Sequence, residues 1–173
     1  ATASTLLDPQ SGRSTAVLAL PAGAQVLMAR LYWAAQRTAG QGAGTTVQFE
    51  RPGALSKTVT AQAGTSKVIR VSNLDYYQSS ADVTKEVQAL GNGAYRVGNI
   101  QTIDVRAQTL DVAFVAWNIV VFYHLDSAPI RNLALFDGLE RISSGGSSTT
   151  TVNLSGFSVP NNGFGAKLGI IAY

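Results

Sequence analysis

Short apolar segments separated by Gly, Pro, Asn and Asp dominate the pattern of hydrophobic and polar positions along the chain. These segments are rich in β-branched and aromatic residues, and most of them show no helical period, which is typical of β-strands. In VLMARLYWA, every second residue from Leu27 to Trp33 is apolar and falls on one face, while Arg30 lies on the other. Strands are predicted at residues 15–20, 25–34, 45–50, 56–61, 67–71, 93–100, 112–123, 132–136, 149–154 and 166–173.

Residues 112–123 are the longest strand candidate that is apolar on both of its alternating faces. A strand with two apolar faces is typical of a position that is covered on both sides. We therefore expect this strand at the centre of a sheet, with water excluded from both flanks of Trp117. Asn118 is the polar exception, and its amide needs hydrogen-bond partners if it is buried.

One segment, SSADVTKEVQALGNG, has a helical pattern. Ser80 or Asp82 can cap a helix here, and Gly91 can end it. The apolar residues between them follow the spacing i, i+4, i+7 of one helix face, which predicts about two turns. Together the elements predict an all-β fold, a two-sheet antiparallel β-sandwich that is jelly-roll-like and carries one short helix.

The length of 173 residues fits one domain, which we divide into an N-terminal strand or arm at residues 1–20 and a single β-sandwich at 21–173. Charged residues make up only 13% of the chain, against about a quarter in ordinary soluble proteins. Ser and Thr supply much of the polarity, and together with Gly they make the chain rich in small residues, which favours an extracellular β-protein. The chain begins ATAS without a starting methionine, which fits a secreted product after removal of a signal peptide and fits a fragment equally well.

Several function classes lose support from the composition. The chain has no cysteine, so a disulfide framework, a thiolate zinc site and a cysteine nucleophile are excluded. The net charge of +3 is spread without a basic run, and nucleic-acid binding is therefore not expected. No apolar run reaches the roughly 18 to 20 residues that a membrane-spanning helix needs.

Catalytic and metal sites are weakly indicated. His124 and Asp126 could form an acid–base pair, but HLDSAP also has the composition of a turn, and no nucleophile is identifiable. We expect no catalytic residue and no cofactor. Calcium is the one metal that we keep open, because oxygen ligands occur at Asp75, Asp82, Asp104, Asp111, Asp126 and Asp137, although none of them forms the spacing of a calcium loop.

Tyr76 and Tyr77, in NLDYYQSS, are expected to be exposed and are the candidate contacts for a partner or a glycan. Trp33 and Trp117 lie in apolar segments and are expected in the core. The N-terminal segment is a second candidate contact region, because an apolar strand-capable arm can pair within its own sheet or add to the open edge of a neighbour. Its candidate contact residues are Leu6, Leu7, Val17, Leu18 and Leu20.

Three blocks of the chain, ARLYWAAQ, SSADVTKEVQALGNGAYRVGNIQT and WNIVVFYHLDSAPIRNLALFDGLE, resemble a β-sandwich domain of large secreted bacterial surface proteins. The similarity extends over roughly residues 29–173. Members of that family often carry the domain ahead of repeated immunoglobulin-like modules, and no activity is attached to the pattern. The resemblance implies an exported, cell-surface location and supplies no catalytic residues.

The leading hypothesis is a non-enzymatic exported module that assembles into, or decorates, a bacterial surface structure such as a fibre or adhesin. It would use β-strand edges and the terminal arm for self-association. The alternative is a lectin-like module that binds surface glycans through Tyr76 and Tyr77. A hydrolase is a third hypothesis, and only His124 with its neighbouring acids motivates it.

Overall fold

A computed structural model describes residues 12–104, 113–142, 145, 149–156, 158, 161–163 and 165–172. Within these residues the chain forms eight strands and one helix. They are β1 (Arg13–Leu18), β2 (Gln25–Thr38), β3 (Thr46–Arg51), β4 (Leu55–Thr60), β5 (Lys67–Val71), β6 (Leu74–Asp82), α1 (Thr84–Leu90), β7 (Gly93–Gly98) and β8 (Val115–His124).

The strands form two four-stranded antiparallel sheets that pack face to face. The first sheet has the order β1-β7-β3-β4 and the second has the order β5-β6-β2-β8. Both sheets contribute to one buried apolar cluster, in which Trp33 of the second sheet and Phe49 and Tyr95 of the first are fully or almost fully buried. The all-β two-sheet sandwich with a short helix is confirmed, and the jelly-roll connectivity stays a prediction.

The strand β2 holds the central position of the second sheet, paired with β6 on one side and β8 on the other. Its odd-numbered residues from Ala29 to Ala35, including Trp33, face the core. Its outer face is also buried at Tyr32 and Ala34, and the hydroxyl of Tyr32 donates to the carboxylate of Asp137 at 3.2 Å. The later part of the chain therefore crosses the outer face of this sheet.

The prediction that residues 112–123 form a central strand is wrong. The strand of this region is β8, which begins at Val115 and lies at the edge of the second sheet. No residue of β8 is buried, and Val115 and Tyr123 are exposed. The core-facing side chains, Trp117 among them, pack only partly against the core. Both faces of β8 are covered only in part, because its residues from Ala116 to Phe122 are all half-buried.

The short helix is confirmed. Val83 occupies its N-terminal cap position, and the carboxylate of Asp82, one residue earlier, accepts the backbone N–H of Thr84 at 2.8 Å. Ser80 does not cap the helix, because it lies inside β6. Gly91 ends the helix at φ +58°, and its N–H donates to Val87. Among the described residues, no helix is long and apolar enough to cross a bilayer.

Further strand predictions need correction. The sequence pattern predicts no strand at residues 74–82, where the structure has β6. Strands are predicted at residues 132–136, 149–154 and 166–173, and the described residues of these three segments form no strand. The remaining strands lie within a few residues of their predicted bounds, and β5 has the bounds that were predicted.

Candidate functional site

Tyr77 does not lie on the surface, and its expected exposure is wrong. It is on β6 with its side chain in the core, fully buried. Its hydroxyl donates to the carbonyl of Gln101 at 2.7 Å, and burial raises the pKa of the phenol well above its usual range. A Cβ placed on Gly44 would lie 2.5 Å from the phenol oxygen. Tyr77 therefore serves as a packed core residue that fixes two neighbouring loops.

Tyr76 points to the opposite face of β6, because successive side chains of a strand alternate. It is half-buried on the outer face of the second sheet, with its ring centroid 6.3 Å from that of Phe114. The two tyrosines are therefore separated by the sheet and cannot form one flat platform for a sugar ring. Any glycan contact at this point would rest on Tyr76 alone.

Asp75 is buried at the start of β6, and protein groups surround its carboxylate. Arg70 donates from Nε at 2.8 Å, and the backbone N–H groups of Gly40 and Gly42 donate at 2.8 and 2.9 Å. The hydrogen bond from Arg70 and those from the two glycines together lower the pKa of Asp75 from 3.8 to about 2. This carboxylate anchors the loop after β2.

Trp33 fixes the other end of the same loop. Its indole N–H donates to the carbonyl of Gly44 at 2.8 Å, and the hydroxyl of Ser79 donates to the same carbonyl at 3.0 Å. Both bonds are buried. Polar groups on the core-facing side of β2 and β6 therefore fix the loop after β2 through buried hydrogen bonds.

The acidic residues do not converge. Within the ranges that the structure describes, no three His, Cys, Asp or Glu side chains come together in a way that could hold a metal ion. Asp111 lies outside the described residues. His124 at the end of β8 and Asp126 in the turn that follows do pair, with Nε2 and Oδ1 2.8 Å apart, but both side chains are exposed. This is the turn geometry expected from HLDSAP.

The arm residues that the structure describes are held in their own chain. β1 pairs with β7 over six residue pairs. The side-chain amide of Asn92 then brackets Leu20, accepting its N–H at 2.6 Å and donating to its carbonyl at 2.9 Å. Leu18 packs against the core, whereas Val17 is exposed. Leu6 and Leu7 lie outside the described residues.

The edges of the two sheets meet at β1 and β8. The indole N–H of Trp117 on β8 donates to the hydroxyl of Ser14 on β1. Trp117 also pairs directly with Trp33 of the neighbouring strand. The inner face of β8 is therefore fixed to the sandwich, and the side of β8 that faces away from β2 forms the boundary of the second sheet.

In the described part of the chain, the two sheets have four edge strands, and these differ in charge. Lysine or arginine in an edge strand discourages pairing with another chain, because the cation would have to be desolvated. β1 carries Arg13, β4 carries Lys57, and β5 carries Lys67 and Arg70. β8, with the sequence VAWNIVVFYH, has no Lys, Arg, Asp or Glu and is the longest of the four edge strands at ten residues.

An apolar surface continues from the end of β8. Leu27 and Tyr123 are exposed there, and they line a cleft of about 510 Å³ together with the turn that follows the strand. Ile130 at the rim of this cleft is 99% exposed, and Leu133 is also exposed. Val121, Phe122 and Tyr123 of β8 also line this cleft, and we call the edge of β8 together with the cleft the β8 surface. The β8 surface could not be predicted from the sequence, because the absence of charge in β8 is visible there but the position of this strand at the sheet edge is not.

The chain matches no protein-family model, no curated protein and no solved structure. The similarity to the surface-protein domain therefore stays a prediction that rests on the three sequence blocks. The functional argument depends on the fold and on the β8 surface.

Proposed function

We propose that this protein is a non-enzymatic structural module that associates with copies of itself through the β8 surface. The observation that carries the proposal is that β8 is the longest edge strand and the one without a charged residue. The setting that we propose is the one expected from composition and from the family resemblance, an exported protein that builds or decorates a bacterial surface structure such as a fibre or adhesin.

Unprotected edges favour association because an edge strand presents backbone donors and acceptors on its outer side. A second strand can satisfy these groups and bury apolar side chains in the same step. At about 3.3 Å per residue, the ten residues of β8 offer an edge of about 33 Å. The cationic residues of β1, β4 and β5 make those edges poorer acceptors.

The N-terminal arm has a smaller part in this proposal than the sequence analysis gave it. Residues 13–20 are hydrogen-bonded to β7 and Asn92 of the same chain, so β1 forms an edge of the first sheet in its own chain. Exchange of the arm between copies would have to break six residue pairs. Association through β8 requires no such opening.

Two matched variants test the proposal. Val115 on β8 and Val68 on β5 are both edge-strand valines in the second sheet, and they are 45% and 42% exposed. Lysine at either position should cost the folded chain little. Sedimentation velocity over a hundredfold concentration range then reports association for the native chain, Val115→Lys and Val68→Lys.

The native chain and Val68→Lys should both form larger species as concentration rises. Val115→Lys should remain monomeric, because its ammonium group would have to be desolvated at the new strand pair. A native chain that stays monomeric throughout the range refutes the proposal. Equal association by the native chain and Val115→Lys places the contact elsewhere and refutes the role of β8.

A further inference from the structure

The described C-terminal residues include a strand-like segment that the folded chain leaves uncovered. Residues 166–172, AKLGIIA, form no strand, yet Leu168 is 74% exposed and Ile170 is 79% exposed. Ile171 is exposed as well. In an extended conformation, Leu168 and Ile170 share one face, because side chains of a strand alternate. Exposed apolar segments of this kind are typical of contact regions.

We infer that residues 166–172 of one copy add as a strand to the β8 edge of a second copy. The inference rests on the proposed function and names the segment that occupies the β8 surface. The inner face of β8 would be extended by Leu168 and Ile170, next to Trp117 and Ile119, which pack against the core. Backbone hydrogen bonds would supply affinity, and the alternating apolar side chains would set the register.

The dimensions and charge of the segment fit this position. Seven residues at about 3.3 Å each span about 23 Å, which lies within the length of β8. Lys167 is the one charged residue of the segment, and it falls on the opposite face from Leu168 and Ile170. An added strand would therefore bury its apolar face while its lysine stays in water.

The large exposure of Leu168 and Ile170 favours a contact between two copies over pairing of the segment with β8 of its own chain. A tail that covered its own β8 would have these side chains against Trp117 and Ile119, and in the structure they are open to solvent. A second copy carries both the acceptor edge and the donor segment. Each copy can then give one tail and receive another, and such a head-to-tail contact produces open filaments unless its rotation closes a ring.

The segment at residues 149–154, TTTVNL, is a weaker donor and serves as a control. It has two large apolar residues, Val152 and Leu154, and both are exposed. It is otherwise built of threonine and asparagine, so it would bury less apolar area against β8.

Disulfide trapping tests the inference, because the natural chain has no cysteine and an introduced pair cannot be confused with others. One set of copies carries Leu168→Cys or Ile170→Cys. The other carries Val115→Cys, Ile119→Cys or Tyr123→Cys, which lie four residues apart on the inner face of β8. A disulfide needs Cα atoms within about 4.4–6.8 Å, so only directly paired positions should react efficiently.

This arrangement covers every register in which the apolar face of the tail points inward and both tail positions lie opposite β8. The two tail positions are two residues apart and the β8 positions are four apart, so one tail cysteine always meets one β8 cysteine. Mixtures are oxidised mildly and analysed on non-reducing gels. Val152→Cys with the β8 variants, and Ile170→Cys with Val68→Cys on β5, are the controls.

The expected result is a disulfide-linked dimer in at least one tail–β8 mixture, at least tenfold more abundant than in either control. The inference is overturned if the native chain associates and Val115→Lys does not, but only β8–β8 pairs or Val152→Cys form disulfides. It is also overturned if a dilute chain carrying both cysteines closes the bond internally. Absence of any association overturns the proposed function itself, and sedimentation of the same mixtures separates these outcomes.

Discussion

Replacement of Tyr77 by phenylalanine tests whether this residue is a core element or a surface contact. The substitution removes one hydroxyl and keeps the ring, which is fully buried. The lost group donates to the carbonyl of Gln101 at 2.7 Å and packs closely against Gly44. The carbonyl would lose its donor, and a small void would remain where the oxygen was.

A hydrogen bond of this kind contributes about 1 kcal/mol, and a buried group left without its partner costs about 1–3 kcal/mol. Gln101 is half-buried as a residue and this hydrogen bond is only partly buried, so water can replace part of the loss. We therefore expect Tyr77→Phe to lower the free energy of unfolding by about 1–2 kcal/mol. At about 2–4 °C per kcal/mol for a chain of this size, the melting temperature should fall by about 2–8 °C.

Urea unfolding followed by tryptophan fluorescence measures this change, with calorimetry as the second method. Tyr76→Phe is the control, because Tyr76 lies on the other face of the same strand and is half-buried. It should change stability by less than about 0.5 kcal/mol. Equal stability of Tyr77→Phe and the native chain, or a larger effect at Tyr76, would refute the assignment of Tyr77 to the core.

Three further predictions concern the anchors of the fold. The pKa of Asp75 is lowered from 3.8 to about 2, so its stabilising contribution is present above pH 4 and is lost as the pH falls from about 4 through 2. Asp75→Asn should therefore be less stable than the native chain at pH 7 and should lose less stability over that acidic interval in thermal melts. Gly93→Ala should cost about 1–3 kcal/mol in urea unfolding, because φ is +132°, a backbone conformation that strains any side chain, and the added Cβ would also displace the guanidinium of Arg51. Asn92→Ala should lower the free energy of unfolding by about 1 kcal/mol and speed proteolysis near Leu20, because the backbone N–H and carbonyl of Leu20 both lose their hydrogen bonds to the Asn92 side chain.

Local patterns predicted the helix and most strands well. The helix has its apolar spacing and a terminal glycine in the sequence, and Gly91 does adopt a positive φ. β6 was missed because its core-facing positions include Asp75 and Ser79, whose polarity hides the alternation. Hydrogen-bond partners for those two buried side chains come from the loop after β2, which supplies the N–H groups of Gly40 and Gly42 and the carbonyl of Gly44. No local pattern contains that information.

The candidate site could be predicted only in part. The uncharged stretch around Trp117 is obvious in the sequence, and it was interpreted as a covered central strand. Its edge position follows from which strands pair with β2, which is a property of the whole sheet. The apolar segments at 132–136, 149–154 and 166–172 were interpreted as strands of the same sandwich. In the described part of the chain they lie outside both sheets, and their exposure is what makes one of them a candidate donor.

Hydrogen exchange at two protein concentrations tests the central claim most directly. Backbone amides on the outer side of an edge strand exchange rapidly in a monomer and become protected when another strand pairs there. Peptides that cover β8 should exchange at least tenfold more slowly in the concentrated sample, while peptides of the charged edge β5 should be unchanged. Equal exchange of β8 at both concentrations, or protection that arises at β5 instead, would contradict association through the β8 surface.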